Sequence, residues 1–372
     1  MSFLYCQPSV FVIGQEYEIL LNVREYGICF VEIGEQIFYE ENTGTLPSER
    51  KVIKIRVPQA TLDKAKEYSV IFRQTEDRKS YFSTFKPVQA QTFKFKPLEK
   101  ENDIHVYHIA DVHYRFEEAK KMASFFGDDT DLFVVNGDIG EVETEENFLE
   151  VCAFTGEISQ GKIPMIFVRG NHDTRGRLSE LYPKYFPVDG KKTYFTFEIG
   201  CLNGVVLDCG EDKEDARTEY DSSENTPIKY LGVNRFHSYR ERELAFLQET
   251  KLETENKIPF AISHVCPIKT THQAGGIFDI ERELYSQWNR ELERMDIRFM
   301  LCGHFHQAFI LTQGDERNLI DHTYPVVVGS ACLEEELWGT AITLNKDKMT
   351  VCFTNTMHEV VESHTLYYSN EQ

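Results

Sequence analysis

Apolar and polar positions change their spacing near residue 98, and this change divides the chain into two regions. Before it, short runs alternate between apolar and polar residues, which is the spacing of half-buried strands. Polar turns separate the runs at regular intervals, as they do in a sandwich of two β-sheets. The strands predicted in this region are residues 17–23, 28–33, 36–39, 52–57, 68–72 and 92–95.

After residue 103, runs with the spacing of strands alternate with runs with the spacing of helices. The predicted strands are residues 104–110, 132–135, 163–168, 194–199, 205–207, 259–263, 297–302, 308–311, 324–328, 340–344 and 349–353. The predicted helices are residues 116–126, 145–156, 240–250 and 280–292. Alternating strands and helices followed by a run of strands predict an α/β fold in which helices flank a sandwich of sheets.

A charged connector with a proline, residues 96–103, separates the two regions. We therefore place an all-β sandwich domain at residues 1–98 and a second domain at residues 103–372, and the length of 372 residues also favours two domains. Tyr68 resembles the tyrosine corner of fibronectin type III domains, in which the hydroxyl bonds to upstream backbone, and a plain strand aromatic is the alternative. We expect this domain to have a structural role or to mediate protein contact or oligomerisation.

Charge and cysteine usage narrow the class of partner and the compartment. The net charge of −21 repels nucleic-acid backbones and anionic membranes, so we expect neither as a partner. The apolar runs are far shorter than the roughly 20 residues that span a bilayer. The N-terminus lacks the pattern of a secretory signal. Nine cysteines without a CxxC pair are expected to be reduced thiols of a cytoplasmic protein.

Polar side chains follow five of the predicted buried strands, at the strand ends where open α/β sheets bind ligands. They are Asp111-Val112-His113, Gly137-Asp138, Gly170-Asn171-His172-Asp173, His264 and Gly303-His304-Phe305-His306. Each has an ordinary alternative: Asp111 as a turn residue, Asp138 as a helix cap, His264 as a core histidine. Their recurrence at five strand ends favours one shared site.

The types of side chain in these groups indicate the metal. Carboxylates, imidazoles and an amide oxygen, without a thiolate, suit divalent manganese, iron or zinc. The candidate ligands are Asp111, His113, Asp138, Asn171, His264, His304 and His306. This set exceeds what one tetrahedral ion binds, and it suits two ions that share a carboxylate.

In chain order the groups read DxH, GD, GNHD, H and GHxH, a series that resembles the calcineurin-like metallophosphoesterase superfamily over residues 104 to about 310. The resemblance implies two facing mixed β-sheets flanked by helices, an αββα sandwich. It implies a phosphoric ester hydrolase, either a phosphatase or a phosphodiesterase, acting on small phosphorylated compounds. A metal-bridging hydroxide would attack phosphorus while the two ions, manganese, iron or zinc, draw charge from the phosphoryl oxygens.

The resemblance also implies a role for each matching residue. Asp111, His113 and His306 would hold the first ion, Asp138 would bridge both, and Asn171, His264 and His304 would hold the second. His172 would be an electrostatic or general-acid group oriented by Asp173. Beside this motif, Arg175 is the candidate for binding phosphate, with a surface ion pair as the alternative.

The sandwich followed by this region also resembles purple acid phosphatases, with two departures. Glu141 stands where that subfamily has a tyrosine ligand, and His113 stands where it has no histidine. We therefore reject that assignment and expect closer similarity to the general bacterial-type members and to the cyclic-nucleotide phosphodiesterase branch.

Three alternatives stay open: a cyclic-nucleotide-type phosphodiesterase specifically, a nuclease, or a scaffold with a vestigial site. The net charge argues against a nuclease, and the complete ligand set argues against a scaffold. Residues 210–230 and 269–276 are expected to be loops that shape substrate access, and residues 208–212 are candidates for the rim of the site. Among the histidines outside the motifs, His272 is the best candidate for a role.

Overall fold

The computed structural model describes residues 2–40, 43–215, 218–221, 226–229, 232–333 and 336–368. Its N-terminal elements are β1 (Ser9–Ile13), β2 (Glu16–Asn22), β3 (Gly27–Ile33), β4 (Gln36–Tyr39), β5 (Val52–Pro58), α1 (Gln59–Ala65), β6 (Glu67–Arg78), β7 (Ser83–Phe85) and β8 (Gln89–Lys94). The later elements are β9 (Ile104–Ile109), α2 (Phe116–Ala123), β10 (Leu132–Asn136), α3 (Glu145–Ser159), β11 (Met165–Val168), α4 (Tyr182–Tyr185), β12 (Phe195–Ile199), β13 (Leu202–Leu207), β14 (Thr218–Asp221), β15 (Thr226–Lys229), α5 (Phe236–Glu249), β16 (Ile258–Ser263), α6 (Arg282–Arg294), β17 (Phe299–Cys302), β18 (Phe309–Leu311), β19 (Val326–Val328), β20 (Gly339–Leu344), β21 (Lys348–Thr354) and β22 (Val360–Tyr367).

Two mixed sheets face each other across the main hydrophobic core. One has nine strands in the order β22-β21-β20-β9-β10-β11-β1-β2-β5, and the other has six in the order β12-β13-β16-β17-β19-β18. Helices α2 and α3 cover the outer face of the first sheet, and α5 and α6 cover that of the second. The predicted α/β sandwich flanked by helices is confirmed.

Parallel pairing decides where the loops of this sandwich gather. β9, β10 and β11 run parallel in one sheet, and β13, β16, β17 and β19 run parallel in the other. Their carboxyl ends therefore lie at one edge of the sandwich, which is where side chains from separate segments can form a ligand site.

The N-terminal strands form an antiparallel sheet and also extend the nine-stranded sheet. The antiparallel sheet has the order β4-β3-β6-β7, with β8 pairing β6. β1, β2 and β5 continue the larger sheet, because β1 pairs in parallel with β11 at Phe11 and Met165. Buried side chains such as Val31 and Ile166 belong to one core cluster. The sheet and the core thus run across the connector, and the domain division at residue 98 stays a prediction.

Several details of the N-terminal region differ from the sequence-based expectation. The strands β1 and β7 and the helix α1 were not predicted. The tyrosine-corner prediction for Tyr68 is wrong. Its hydroxyl donates a hydrogen bond of 3.0 Å to the carbonyl of Gly161, in the turn after α3, instead of bonding to upstream backbone.

Within the part of the chain that the structure describes, no helix has the length and apolar character of a membrane span. All nine cysteines are free thiols. The predicted loop at residues 210–230 includes the short pair β14 and β15, and part of it lies outside the described residues.

Candidate metal centre

The seven candidate ligands meet at the edge of the sandwich where the parallel strands end. Each follows the carboxyl end of a strand: Asp111 and His113 after β9, Asp138 after β10, Asn171 after β11, His264 after β16, and His304 and His306 after β17. The structure thus brings all the predicted ligands together, from both facing sheets.

Five of these residues have left-handed backbone conformations. They are Asp111 (φ 53°), His113 (φ 43°), Asp138 (φ 54°), His304 (φ 75°) and His306 (φ 54°). A residue other than glycine costs roughly 1 kcal/mol or more in this conformation, so it persists only where surrounding contacts fix it. Those contacts include Asp111 N donating to Gly137 O at 3.1 Å and His113 N donating to Asp138 O at 3.1 Å. The strained turns at the strand ends are typical of a functional site.

One ligand group consists of Asp111, His113 and His306, which offer ligand atoms within 4.8 Å of one another. The Nε2 atoms of His113 and His306 are 3.1 Å apart, and His306 Nε2 is 3.5 Å from Asp111 Oδ1. Asp111 Oδ1 is buried and accepts no hydrogen bond from any described residue. A buried carboxylate oxygen without a donor, facing two imidazoles, is what a cation at this position requires.

A second group consists of Asp111, Asp138 and His264. His264 Nε2 lies 3.1 Å from Asp138 Oδ2 and 3.7 Å from Asp111 Oδ1. Its other ring nitrogen, Nδ1, donates to the carbonyl of Asn136 at 2.6 Å. That hydrogen bond fixes the tautomer of a neutral ring and leaves Nε2 as a lone-pair donor, which is the usual support for a metal-binding histidine.

Asn171 and His304 complete the second group. The amide oxygen of Asn171 is 2.9 Å from His304 Nδ1. The same amide atom is 3.2 Å from His264 Nε2 and 3.3 Å from Asp138 Oδ2. If the amide oxygen and nitrogen of Asn171 exchanged places, the nitrogen would donate to His304, His264 and Asp138. A divalent cation bound by these four side chains would satisfy them without that exchange, so the donor set fits a metal ion.

The electrostatics of the site also favour cations. Burial raises the pKa of Asp111 to about 7, despite the opposing effect of His264. Burial opposes ionisation of Asp138 as well, but His264, His172 and His113 outweigh it and lower the pKa of that carboxyl. Burial lowers the pKa of His264, but the carboxylates of Asp138 and Asp111 raise it more strongly, to about 10. The carboxylates thus require nearby positive charge, which divalent ions would supply.

His172 lies beside this centre, as the resemblance implied. Its ring centroid is 5.1 Å from that of His113, and its Nε2 is 4.0 Å from Asp138 Oδ2. Its side chain is 41% exposed, so a substrate could reach it. Burial is the main cause that lowers the pKa of His172.

Asp173 does not orient the His172 ring in the structure. Its Oδ2 accepts hydrogen bonds from the backbone amides of Gly170 at 2.7 Å and Asp138 at 3.3 Å. The carboxylate is buried, and both of these bonds are to the backbone of ligand loops. Asp173 therefore connects the loops that carry Asp138 and Asn171.

Arg175 is next to the centre, in an ion-pair cluster. Its Nη1 donates to His172 Nε2 at 3.2 Å. Its Nε and Nη2 donate to Glu211 at 2.7 and 2.5 Å, and Nη2 also donates to Asp212 at 2.9 Å. The predicted rim segment 208–212 thus does reach the site, with Asp212 Oδ2 3.7 Å from His304 Nε2. The pairing of Glu211 and Asp212 with Arg175 was not predicted, because this contact joins two loops that are far apart in the sequence.

The remaining candidates lie away from the ligands or have structural contacts. Arg169 forms an ion pair of 2.5 Å with Asp208 and lies 5.7 Å from the centroids of Tyr182 and Phe236. His272 is exposed, in a short 3₁₀ turn.

Comparisons with known proteins agree with this geometry. A family model described as calcineurin-like phosphoesterase matches residues 104–308. A purple acid phosphatase from yellow lupin (Lupinus luteus) seeds has a similar structure, with 11% sequence identity, a TM-score of 0.61, and coverage of 97% of this chain and 74% of that chain. The structure of PhoD is also similar, with 10% sequence identity, a TM-score of 0.58, and coverage of 98% of this chain and 89% of that chain. At these identities the structures show a shared fold alone, which includes the N-terminal strands. No curated protein sequence gave a match.

Proposed function

This chain belongs to the calcineurin-like phosphoesterase family, and we propose that it hydrolyses phosphoric esters of small compounds with the help of two divalent metal ions. The observation that carries the proposal is the convergence of seven oxygen and nitrogen donors from five separate strand ends, five of them in two groups of ligand atoms and the other two, Asn171 and His304, beside the second group. The side-chain amide of Asn171, within 3.3 Å of His304 Nδ1, His264 Nε2 and Asp138 Oδ2, belongs to this donor set.

The residues divide between two neighbouring ion positions. His113 and His306 would hold the first ion with Asp111, and Asn171, His264 and His304 would hold the second with Asp138. Either aspartate can bridge, because Asp111 takes part in both ligand groups and Asp138 lies beside His264. When bound, two such ions polarise phosphoryl oxygens and supply an activated water.

The protein's own groups have tasks around that chemistry. The hydrogen bond from His264 Nδ1 to Asn136 orients the ring so that Nε2 would be its metal-binding atom, and Asp173 fixes the distance between two ligand loops. His172 is positioned to contact the phosphoryl group or the leaving oxygen. Because the Arg175 guanidinium donates to His172 Nε2, the ring is held as a neutral acceptor until substrate displaces that contact.

The proposal is tested by metal-dependent hydrolysis of p-nitrophenyl phosphate and bis(p-nitrophenyl) phosphate. After chelation and dialysis, added Mn²⁺ is expected to restore release of p-nitrophenol. Asp138→Ala is expected to reduce kcat/KM by roughly a thousandfold or more, because it removes a ligand and leaves the remaining groups misplaced.

Asp128→Ala is the matched control, since this aspartate is exposed and pairs with Lys162 on the surface. It should retain the activity of the unaltered protein. Absence of hydrolysis of either ester with manganese, iron, cobalt and zinc would refute the proposed function.

A further inference from the structure

Three arginines in the segments that carry metal ligands, Arg115, Arg169 and Arg175, are ion-paired with carboxylates. Arg115 follows His113 by two residues and donates to both oxygens of Glu118, through Nε at 2.9 Å and through Nη2. Arg169 precedes Asn171 by two residues and pairs with Asp208. Neither guanidinium therefore presents an unbalanced charge to the centre.

Arg175 is held by a buried carboxylate. Its bond to Glu211 is bidentate, and Glu211 is only 1% exposed while Arg175 is 30% exposed. Bidentate guanidinium–carboxylate pairs are the strong, geometrically specific kind. Swinging Arg175 onto a phosphoryl group would leave the buried Glu211 carboxylate without this partner, which carries a substantial desolvation cost.

Lys213 completes the cluster beside Arg175. Its Nζ is 2.9 Å from Asp212 Oδ1 and 3.8 Å from Glu211 Oε1. Among the described residues, two cations thus pair with two carboxylates at the side of the second ion position, where Asp212 also faces His304. The carboxylates cancel the charge that these cations would otherwise offer to a substrate.

We infer that this charge-balanced cluster, Arg175, Glu211, Asp212 and Lys213, makes the site selective for phosphodiesters over phosphomonoesters. The inference rests on the proposed function and names its substrate class. A phosphodiester carries one negative charge, which the two ions can neutralise, whereas a phosphomonoester above neutral pH carries two. Additional cations would neutralise the second charge, and Arg175 and Lys213, beside the second ion position, are already paired with carboxylates. The net charge of −21 adds to the repulsion of dianions.

The reaction in question is hydrolysis of a phosphodiester by one water. The water oxygen forms a bond to phosphorus, and the bond from phosphorus to one ester oxygen breaks. One water proton goes to the leaving alcohol and the other to solution, so the products are an alcohol and a phosphomonoester. The monoester product is a dianion, and the charge-balanced cluster favours its release.

The first test compares kcat/KM of the manganese-loaded protein for bis(p-nitrophenyl) phosphate and p-nitrophenyl phosphate at pH 8. At this pH Glu211 is ionised, because burial, opposed by Arg175, raises its pKa only to about 7. The diester is expected to be the better substrate by roughly tenfold, the effect of one uncompensated charge at a partly exposed site. Equal turnover, or faster turnover of the monoester, overturns the inference while leaving the proposed function in place.

The second test removes one negative charge from the cluster. Glu211→Gln is expected to lower KM for the monoester about tenfold and to change diester kinetics less than about threefold. Calorimetry gives a readout independent of turnover: inorganic phosphate should bind the manganese-loaded variant about tenfold more tightly than the unaltered protein. Unchanged phosphate affinity and an unchanged substrate ratio overturn the inference. Glu145→Gln, which removes a surface partner of Lys184, is the matched control.

A charge-conserving double variant covers the case in which Glu211→Gln does not fold. Arg175→Gln combined with Glu211→Gln removes one cation and one anion, so the ratio of diester to monoester kcat/KM should stay within about twofold of its original value. A selective loss of monoester turnover would show that Arg175 itself binds the dianion, and would overturn the inference. If turnover is lost with both esters, calorimetry of phosphate binding decides: an affinity within about twofold of that of the unaltered protein supports the inference, and an affinity about tenfold weaker overturns it.

Discussion

Asp173 shows how one side chain positions a metal centre without binding the metal. Its carboxylate accepts hydrogen bonds from the backbone amides of Gly170 and Asp138, and so fixes two ligand loops relative to each other. We expect Asp173→Ala to weaken Mn²⁺ affinity by about 10- to 100-fold, the usual effect of losing such a supporting group. Asp173→Asn retains an acceptor oxygen and should lose less. Titration calorimetry of the metal-free protein measures both. If Asp173→Ala lowers kcat and leaves the affinity unchanged, the group acts on catalysis and not on loop position.

At this scale, the sequence predicted which residues gather and left their individual contacts open. Asp111, Asp138 and His264 were recognisable because each follows a buried strand whose direction sends its end to the same edge. The amide partners of Asp173 and the carboxylate partners of Arg175 were not recognisable. They depend on how closely two loops approach each other, and no periodic pattern in the sequence records that distance.

At the scale of elements, one buried carboxylate of the second region binds two lysines of the connector between β8 and β9. Asp131 is 2% exposed, and its oxygens lie 2.9 Å from Lys96 Nζ and 2.7 Å from Lys100 Nζ. It also accepts from the backbone amide of His105 at 2.9 Å. Asp131→Asn is expected to lower the free energy of unfolding by about 2 kcal/mol, since both lysines are partly exposed and one oxygen can still accept.

The same contacts predict how this loss depends on pH. Burial opposes ionisation of Asp131, but the His105 amide and the two lysines outweigh it and lower its pKa below the ordinary 3.8. The folded protein therefore favours the ionised form, and the contribution is full above that value and disappears as the pH falls through the lowered pKa. Thermal unfolding should show a constant difference between the two proteins from pH 7 to pH 5 and a smaller one below about pH 4. A difference that grows on acidification would contradict this assignment.

The elements also show where sequence patterns stop being informative. Most strands and helices were predicted, because burial leaves either an alternating pattern or a continuous apolar run in the sequence. β1 was not predicted, yet it is the strand that joins the N-terminal region to β11. The hydroxyl of Tyr68 likewise bonds across to Gly161, a contact between regions that local similarity to a tyrosine corner could not indicate.

For the whole molecule, one sheet and one core extend from the N-terminal strands to the metal centre. The architecture was predictable because alternating strands and helices allow few arrangements. The continuity of this sheet across the two regions was not predictable, since it depends on the parallel pairing between β1 and β11. The N-terminal strands therefore support the sheet that carries three of the five ligand loops. We propose that stabilising this sheet is their first role, in addition to any contact with other proteins.

The central claim is that these loops hold two metal ions, and anomalous diffraction from crystals grown with Mn²⁺ tests it most directly. The account predicts two peaks per chain, roughly 3.5–4 Å apart. One should contact Asp111, His113 and His306, and the other Asp138, Asn171, His264 and His304. A single peak, or strong peaks away from these side chains in crystals whose loops match the present structure, would contradict the dinuclear centre and the function built on it.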